Sequence, residues 1–223
     1  MNFKFAQFLT ITFLIITALL YLGCSEESES PFDTNGGDEN ETGSGFGSMK
    51  VGSWAEYESG DLRMRLEFIG TDTYNGTECY ILETEYPGQN LQRVFQLWMN
   101  KNSGETVLFV MKEGKTVIKM QPVMASGYVP KDAGEIPSAA KKLADKDYTT
   151  PTGKKVKAVA YEIKTSSGTS EKWISKDVPF NAVKLVSVNG EVTLLLYDFG
   201  TSGAKRDISK EEAEKAQTFG QPI

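Results

Sequence analysis

The stretch LRMRLEF, residues 62–68, alternates without a break. Leu62, Met64, Leu66 and Phe68 fall on one side, and Arg63, Arg65 and Glu67 on the other. A period of two marks a half-buried antiparallel strand, because successive side chains point to opposite faces of a sheet. The neighbours repeat the theme. SWAEYES (53–59) sets Ala55 and Tyr57 against Glu56 and Glu58, and Gly60-Asp61 can turn the chain between the two strands. Asn75-Gly76 is a strong hairpin signal, since both residues tolerate positive φ, and TECYILETEY (77–86) returns from it.

The pattern continues along the chain. LQRVFQLWM (91–99) puts Leu91, Phe95, Leu97 and Met99 on one face, with Arg93 interrupting it. ETVLFVMK (105–112) is apolar on both faces, as a covered central strand is, and KTVIKM (115–120) follows a Glu113-Gly114 turn. KVKAVAYEIK (155–164), TSEKWIS (169–175), AVKLVSV (182–188) and EVTLLLYDF (191–199) complete about ten strands, mostly joined by tight turns. Two helical pieces are expected, a short one near Pro137–Lys146 and one opening at Asp207 or Ser209 and running through KEEAEKAQ. Residues 121–153 read as a long connection broken by Pro122, Gly127, Pro130, Gly134, Pro137, Pro151 and Gly153. Such connections act as lids or binding loops, or passively cover a sheet end. Ten strands in meander order with little helix predict a mainly β fold: a strongly curved antiparallel sheet or open barrel, with a short lid segment and a C-terminal helix.

The chain divides into three parts. Residues 1–23 carry one charge, Lys4, ahead of an uncharged and mostly apolar run, the plan of a signal peptide. Residues 24–48 hold seven acidic side chains and no Lys or Arg, a composition that cannot offset chain-ordering entropy. A flexible tether of that length reaches about 27 Å. Residues 49–223 form a single β-rich domain, large enough for a real core. The whole chain has 30 acids and 24 bases, so removing Lys4 and the seven tether acids leaves 23 of each in this domain. A formally neutral domain without a basic run gives no footprint for nucleic-acid binding.

Tyr21-Leu22-Gly23-Cys24 resembles the lipobox of bacterial lipoproteins. That resemblance implies cleavage before Cys24, lipid on its sulfur and its new amine, and anchoring in the cell envelope. The outer membrane, on its periplasmic or surface face, is the expected address. Two or more acyl chains anchor stably where one binds only marginally. Ser25-Glu26-Glu27-Ser28-Glu29 also resembles the Ser-plus-acids signal of surface lipoproteins of the Bacteroidetes type, and reads equally as spacing. The phrase EKWISKDVPFNAVKLVSVNGEVTLLLYDFG (171–200) resembles the second half of the lipoprotein-localisation carriers and related mycobacterial lipid-handling lipoproteins. In those families a half-barrel wraps a helical lid around an apolar cavity. No binding residue carries over from that resemblance. The aromatics and the Leu and Met of the strands read as core by default, and if the sheet curls without closing, Met64, Leu66, Phe68, Phe95, Leu97 and Met99 are candidate cavity-lining residues.

Much chemistry has no residues to carry it. With no histidine, Ser-His-Asp and Cys-His nucleophile systems and the usual zinc sites are excluded. Cys79, the domain's only cysteine, has no disulfide partner and reads as a small buried hydrophobe. Glu83 and Glu85 share a strand face, but without a companion motif they read as solvated. Ser138 and Lys141 have Ser-x-x-Lys spacing without the partner motifs of that enzyme class. Asp145 and Asp147 lack the rest of a calcium loop. No catalytic residue, metal or cofactor is expected. The expected function is that of a membrane-anchored lipoprotein binding an apolar ligand, a lipid or acyl chain. The alternative is a structural lipoprotein with a filled core and an envelope protein as partner.

Overall fold

The computed structural model describes residues 49–87, 93–127, 136 and 139–219. The signal segment, Cys24, the tether, Leu91 and Ser138 lie outside the described residues. The strands are β1 (Trp54–Ser59), β2 (Leu62–Tyr74), β3 (Thr77–Glu85), β4 (Arg93–Asn100), β5 (Thr106–Glu113) and β6 (Thr116–Met120), followed by a 3-10 turn (Pro122–Gly127). Then come β7 (Lys141–Thr149), β8 (Lys155–Thr165), β9 (Gly168–Ile174), β10 (Ala182–Val186), β11 (Val192–Gly200), the helix α1 (Lys210–Lys215) and β12 (Gln217–Thr218). All twelve strands belong to one sheet, ordered β12-β6-β5-β4-β3-β2-β1-β11-β10-β9-β8-β7. Two meanders, β1–β6 and β7–β11, meet where β1 pairs antiparallel with β11, Trp54 opposite Gly200. Only β12 runs parallel to its neighbour, β6.

This corrects the expected half-barrel. The sheet is open and mixed, it has twelve strands rather than about ten, and its outer strands β12 and β7 are not paired with each other. The helix expected near Pro137–Lys146 is absent from the described part of that stretch, where Lys141 onward forms the edge strand β7. Its exposed Lys141 and Lys142 suit a sheet edge, where charge discourages pairing with another chain. The physical reason for the open form is that the loop after β9, the tip of the β7–β8 hairpin and residues 201–219 cover the two faces, so burial does not require the outer strands to close on each other.

The inner face carries Ala55, Tyr57, Leu66, Phe68, Leu82 and Leu196, part of one continuous buried cluster. The loop after β9 adds Val178 and Phe180 to it. Phe180 and Asn181 both take positive φ, 63° and 57°, and the Asn181 carbonyl accepts from the Ser175 N–H at 2.9 Å. The tip of the β7–β8 hairpin completes this cover. Tyr148 donates its hydroxyl to the Leu196 carbonyl, Thr152 Oγ1 donates to Asp198 at 2.9 Å, and Lys154 Nζ donates to the Phe199 carbonyl. These β11 residues lie past Leu195, the partner of Lys184 in β10, so side chains reach β11 where β10 pairing has stopped.

A bulge in β2 sets up the outer face. The register slips between Phe68 and Gly70, where Gly70 has a φ of 125°. An added residue reverses which side chains face which way. Leu66 and Phe68 therefore face inward, while Asp72, opposite Cys79, and Tyr74 face outward. The outer apolar patch includes Cys79, Ile81, Val94, Trp98, Leu108 and Val110, and residues 201–219 lie over it through Ile208 and Ala213. Helix α1 opens as expected near Ser209. The Ser209 hydroxyl accepts from Glu212 N–H while Glu212 accepts from Ser209 N–H, a complete capping box.

Candidate functional site

The six residues expected to line a cavity come together in the inner-face cluster. Met64 is partly buried, whereas Leu66, Phe68, Phe95, Leu97 and Met99 are 0–5% exposed. Phe95 stacks on Phe109 with ring centroids 6.0 Å apart, and Tyr86 meets Phe95 edge-on at 5.9 Å. A side chain that lines a ligand-sized void keeps surface that water can touch. Leu97 and Met99 keep none and pack as core, whereas Met64 keeps part of its surface. Cys79 is fully buried on the opposite face, and burial pushes its thiol up from the ordinary value.

The chemistry that stands out is on the outer face, built from β2, β3, β4 and the chain ahead of α1. Glu83 and Gln96, opposite each other on β3 and β4, are both fully buried. Gln96 Nε2 donates to Glu83 Oε1 and to the Ile208 carbonyl, each at 2.6 Å, and its Oε1 accepts from Trp98 Nε1 at 2.6 Å. Glu83 in turn accepts from the backbone N–H of Asp207 at 2.8 Å and of Ile208 at 3.0 Å. Burial raises the Glu83 carboxyl to about 7, against the pull of these donors. Beside it, burial and a hydrogen bond with the Asp207 carboxyl raise Glu85 to about 8, with Glu67 adding repulsion. Glu67 is itself raised by burial, and Arg65 Nε, which donates to it at 2.7 Å, lowers it.

The sequence reading of Glu83 as solvated is thus corrected, and Glu85 is half-buried. A carboxylate at a polar-face position looks solvent-facing until a distant segment covers it. The available signal was β5, apolar on both faces, which required a cover on the outer side.

Next to this network, the Arg65 guanidinium lies 3.9 Å from the centre of the Trp54 ring, and Trp54 Nε1 donates to the Ser202 carbonyl at 3.0 Å. Arg63 stacks on Tyr197 at 3.6 Å and pairs with Glu56 and Glu58. These cation–π and charge pairs staple neighbouring strands, each worth about 0.5–1 kcal/mol at such partly exposed sites. Gly200 lies under the Trp54 ring, and a Cβ there would meet Trp54 Nε1 at 2.6 Å. Gly200→Ala is therefore expected to displace Trp54 and cost about 1–3 kcal/mol, read as a lowered urea midpoint with unchanged slope.

Among the described residues, no group of three or more His, Cys, Asp or Glu side chains is arranged to hold a metal ion. The buried carboxyls face backbone N–H groups, an amide and one another. They hold the C-terminal segment on the sheet. No protein-family model and no curated protein sequence matches the chain.

Proposed function

We propose that the chain is a lipid-anchored protein of the cell envelope whose domain serves as a structural or interaction module for another envelope protein. The anchor reading rests on Gly23-Cys24 after an uncharged run, followed by an acidic tether. The outer membrane is the proposed address. The observation that supports module over ligand carrier is the close packing at the centre of the inner face. Leu97 and Met99 retain no accessible surface, and the loop bearing Val178 and Phe180 packs on the same cluster. A carrier of an acyl chain needs an apolar pocket of about 300 Å3 or more.

Two measurements on the full chain test this. Metabolic labelling with a fatty acid is expected to mark the wild type and to disappear in Cys24→Ala, which stays unprocessed; retained labelling would refute the anchor. In-envelope crosslinking is expected to capture one reproducible protein partner. Stoichiometric displacement of a fluorescent fatty acid by the purified mature chain would instead restore the ligand-carrier reading.

A further inference from the structure

The neutral domain is not evenly neutral. Of its 23 acids and 23 bases, Lys141–Val186, the stretch from β7 to the end of β10, holds ten Lys and five acids. That end of the sheet is net positive by five, and the rest of the domain, with 13 bases and 18 acids, is net negative by five. The segment ahead of the domain, residues 25–48, holds seven acids and no base.

The chain enters the domain beside the positive end. Lys154 Nζ lies 5.3 Å from the centre of the Trp54 ring, only five residues after Met49, and pairs with Asp198 at 2.7 Å. Lys155 and Lys157 come next along the chain. Both are exposed, and being two apart on β8 they share a face. The Lys155 ammonium has no ion pair or hydrogen bond among the described residues. Lys157 has only Asp147, at 3.5 Å, and both of these side chains are almost wholly exposed. The other acids of the hairpin are taken: Asp145 pairs with Lys142 at 2.9 Å and Glu162 with Lys164 at 3.7 Å.

We propose that the acids of residues 26–41 dock on the lysine run that opens β8, at Lys155 and Lys157, so that the chain's own leading segment occupies the positive end of the sheet. This holds whether or not Cys24 carries lipid, and so is independent of the proposed envelope function. Glu41 precedes Met49 by eight residues, at most about 28 Å of extended chain. Lys157 lies about 10 Å along the strand from Lys154, within that reach of the entry point. Covalent linkage keeps the acids at an effective concentration on the order of millimolar. Single exposed ion pairs are weak, so the number of acids sharing the lysines carries the docking, and salt screens it. An anionic lipid surface attracts the same lysines but repels the acidic segment joined to them.

A second exposed lysine lies equally near the entry and separates charge from mere proximity. Ala204 N–H donates to the Gly52 carbonyl at 2.9 Å, which brings Lys205 to the same place. Its surroundings are acidic, since its backbone N–H bonds Glu67 and Asp207 adds negative charge there. Lys115, in the β5–β6 turn, is an exposed lysine on the negative half.

Zero-length carbodiimide coupling of the full chain in neutral detergent, mapped by peptide mass spectrometry, tests the docking. The reagent takes up the water lost as a carboxyl and a lysine amine join in an amide. Coupling of Lys112 to Glu212, 2.7 Å apart, serves as the reference at each salt concentration. At about 0.02 M salt, residues 26–41 are expected to couple to Lys155 and Lys157 at least about fivefold more than to Lys205 or Lys115, and at about 0.5 M salt this excess is expected to vanish. Equal yields at the four lysines in low salt, or an excess that salt leaves unchanged, would overturn the docking. Loss of the excess in nanodiscs of anionic lipid, with retention in neutral ones, would assign the lysines to the membrane and overturn it too.

Discussion

Trp98→Ala is expected to destabilise the domain by about 3–5 kcal/mol, the range for deleting a fully buried large aromatic. The side chain has no accessible surface, and its ring lies 6.0 Å from that of Tyr74 and 5.4 Å from the Arg206 guanidinium. It also donates to Gln96 Oε1, the acceptor end of an amide whose donors fix Glu83 and Ile208. Truncation opens a cavity under Ile208 and Ala213 and loosens the orientation of that amide. Urea unfolding should show the full loss, and thermal unfolding a drop of about 10 °C for a domain of this size. Trp98→Phe should recover most of it, since it restores volume and forfeits one hydrogen bond. A loss below 1 kcal/mol in the alanine variant would mean that the outer patch is not a packed core.

Glu83→Ala should cost about 2–4 kcal/mol. It strands the buried N–H of Ile208, at about 1–3 kcal/mol for an unsatisfied donor, and removes the partner of the part-buried Asp207 N–H and of the Gln96 amide. Part of that is offset, because the variant no longer buries an acid. The offset makes the cost depend on pH. Between the ordinary carboxyl value of 4.5 and about 7 the folded wild type binds more protons than the unfolded chain. Its stability therefore falls as pH rises through that window. The variant lacks this term, so the gap between the two is widest below pH 4.5 and narrows up to about pH 7. Unfolding free energies measured at pH 4.5, 6 and 8 check it; a gap that widens with pH would show that Glu83 is held ionised.

The strands were legible because alternation survives wherever one face is buried and the other is polar. Leu62–Phe68, Lys155–Lys164 and Val192–Phe199 fall within strands as the period of two requires. β7 was not legible. In KKLADKDYT nearly every side chain is exposed, and an edge strand exposed on both faces has no apolar period to betray it. β12 is two residues long and owes its pairing to β6, not to its own sequence. The sheet's open form was equally hidden, since strand count and turn spacing do not say which segment covers which face. Glu67 and Glu83 were missed for the same reason. Their burial depends on residues more than a hundred positions away, and no local pattern encodes that.

The junction of β1 with β11 has a consequence for how the protein is made. Ribosomal synthesis delivers the first meander while the second is still unmade, and Trp54 waits for Gly200, the residue it faces. During that interval the β1 margin offers unpaired backbone groups to any extended chain nearby. Contacts so remote in sequence form slowly, because a long loop must close before they reward it. The growing chain therefore has its sticky period built in, and it ends only when the last long strand arrives to zip the two halves together.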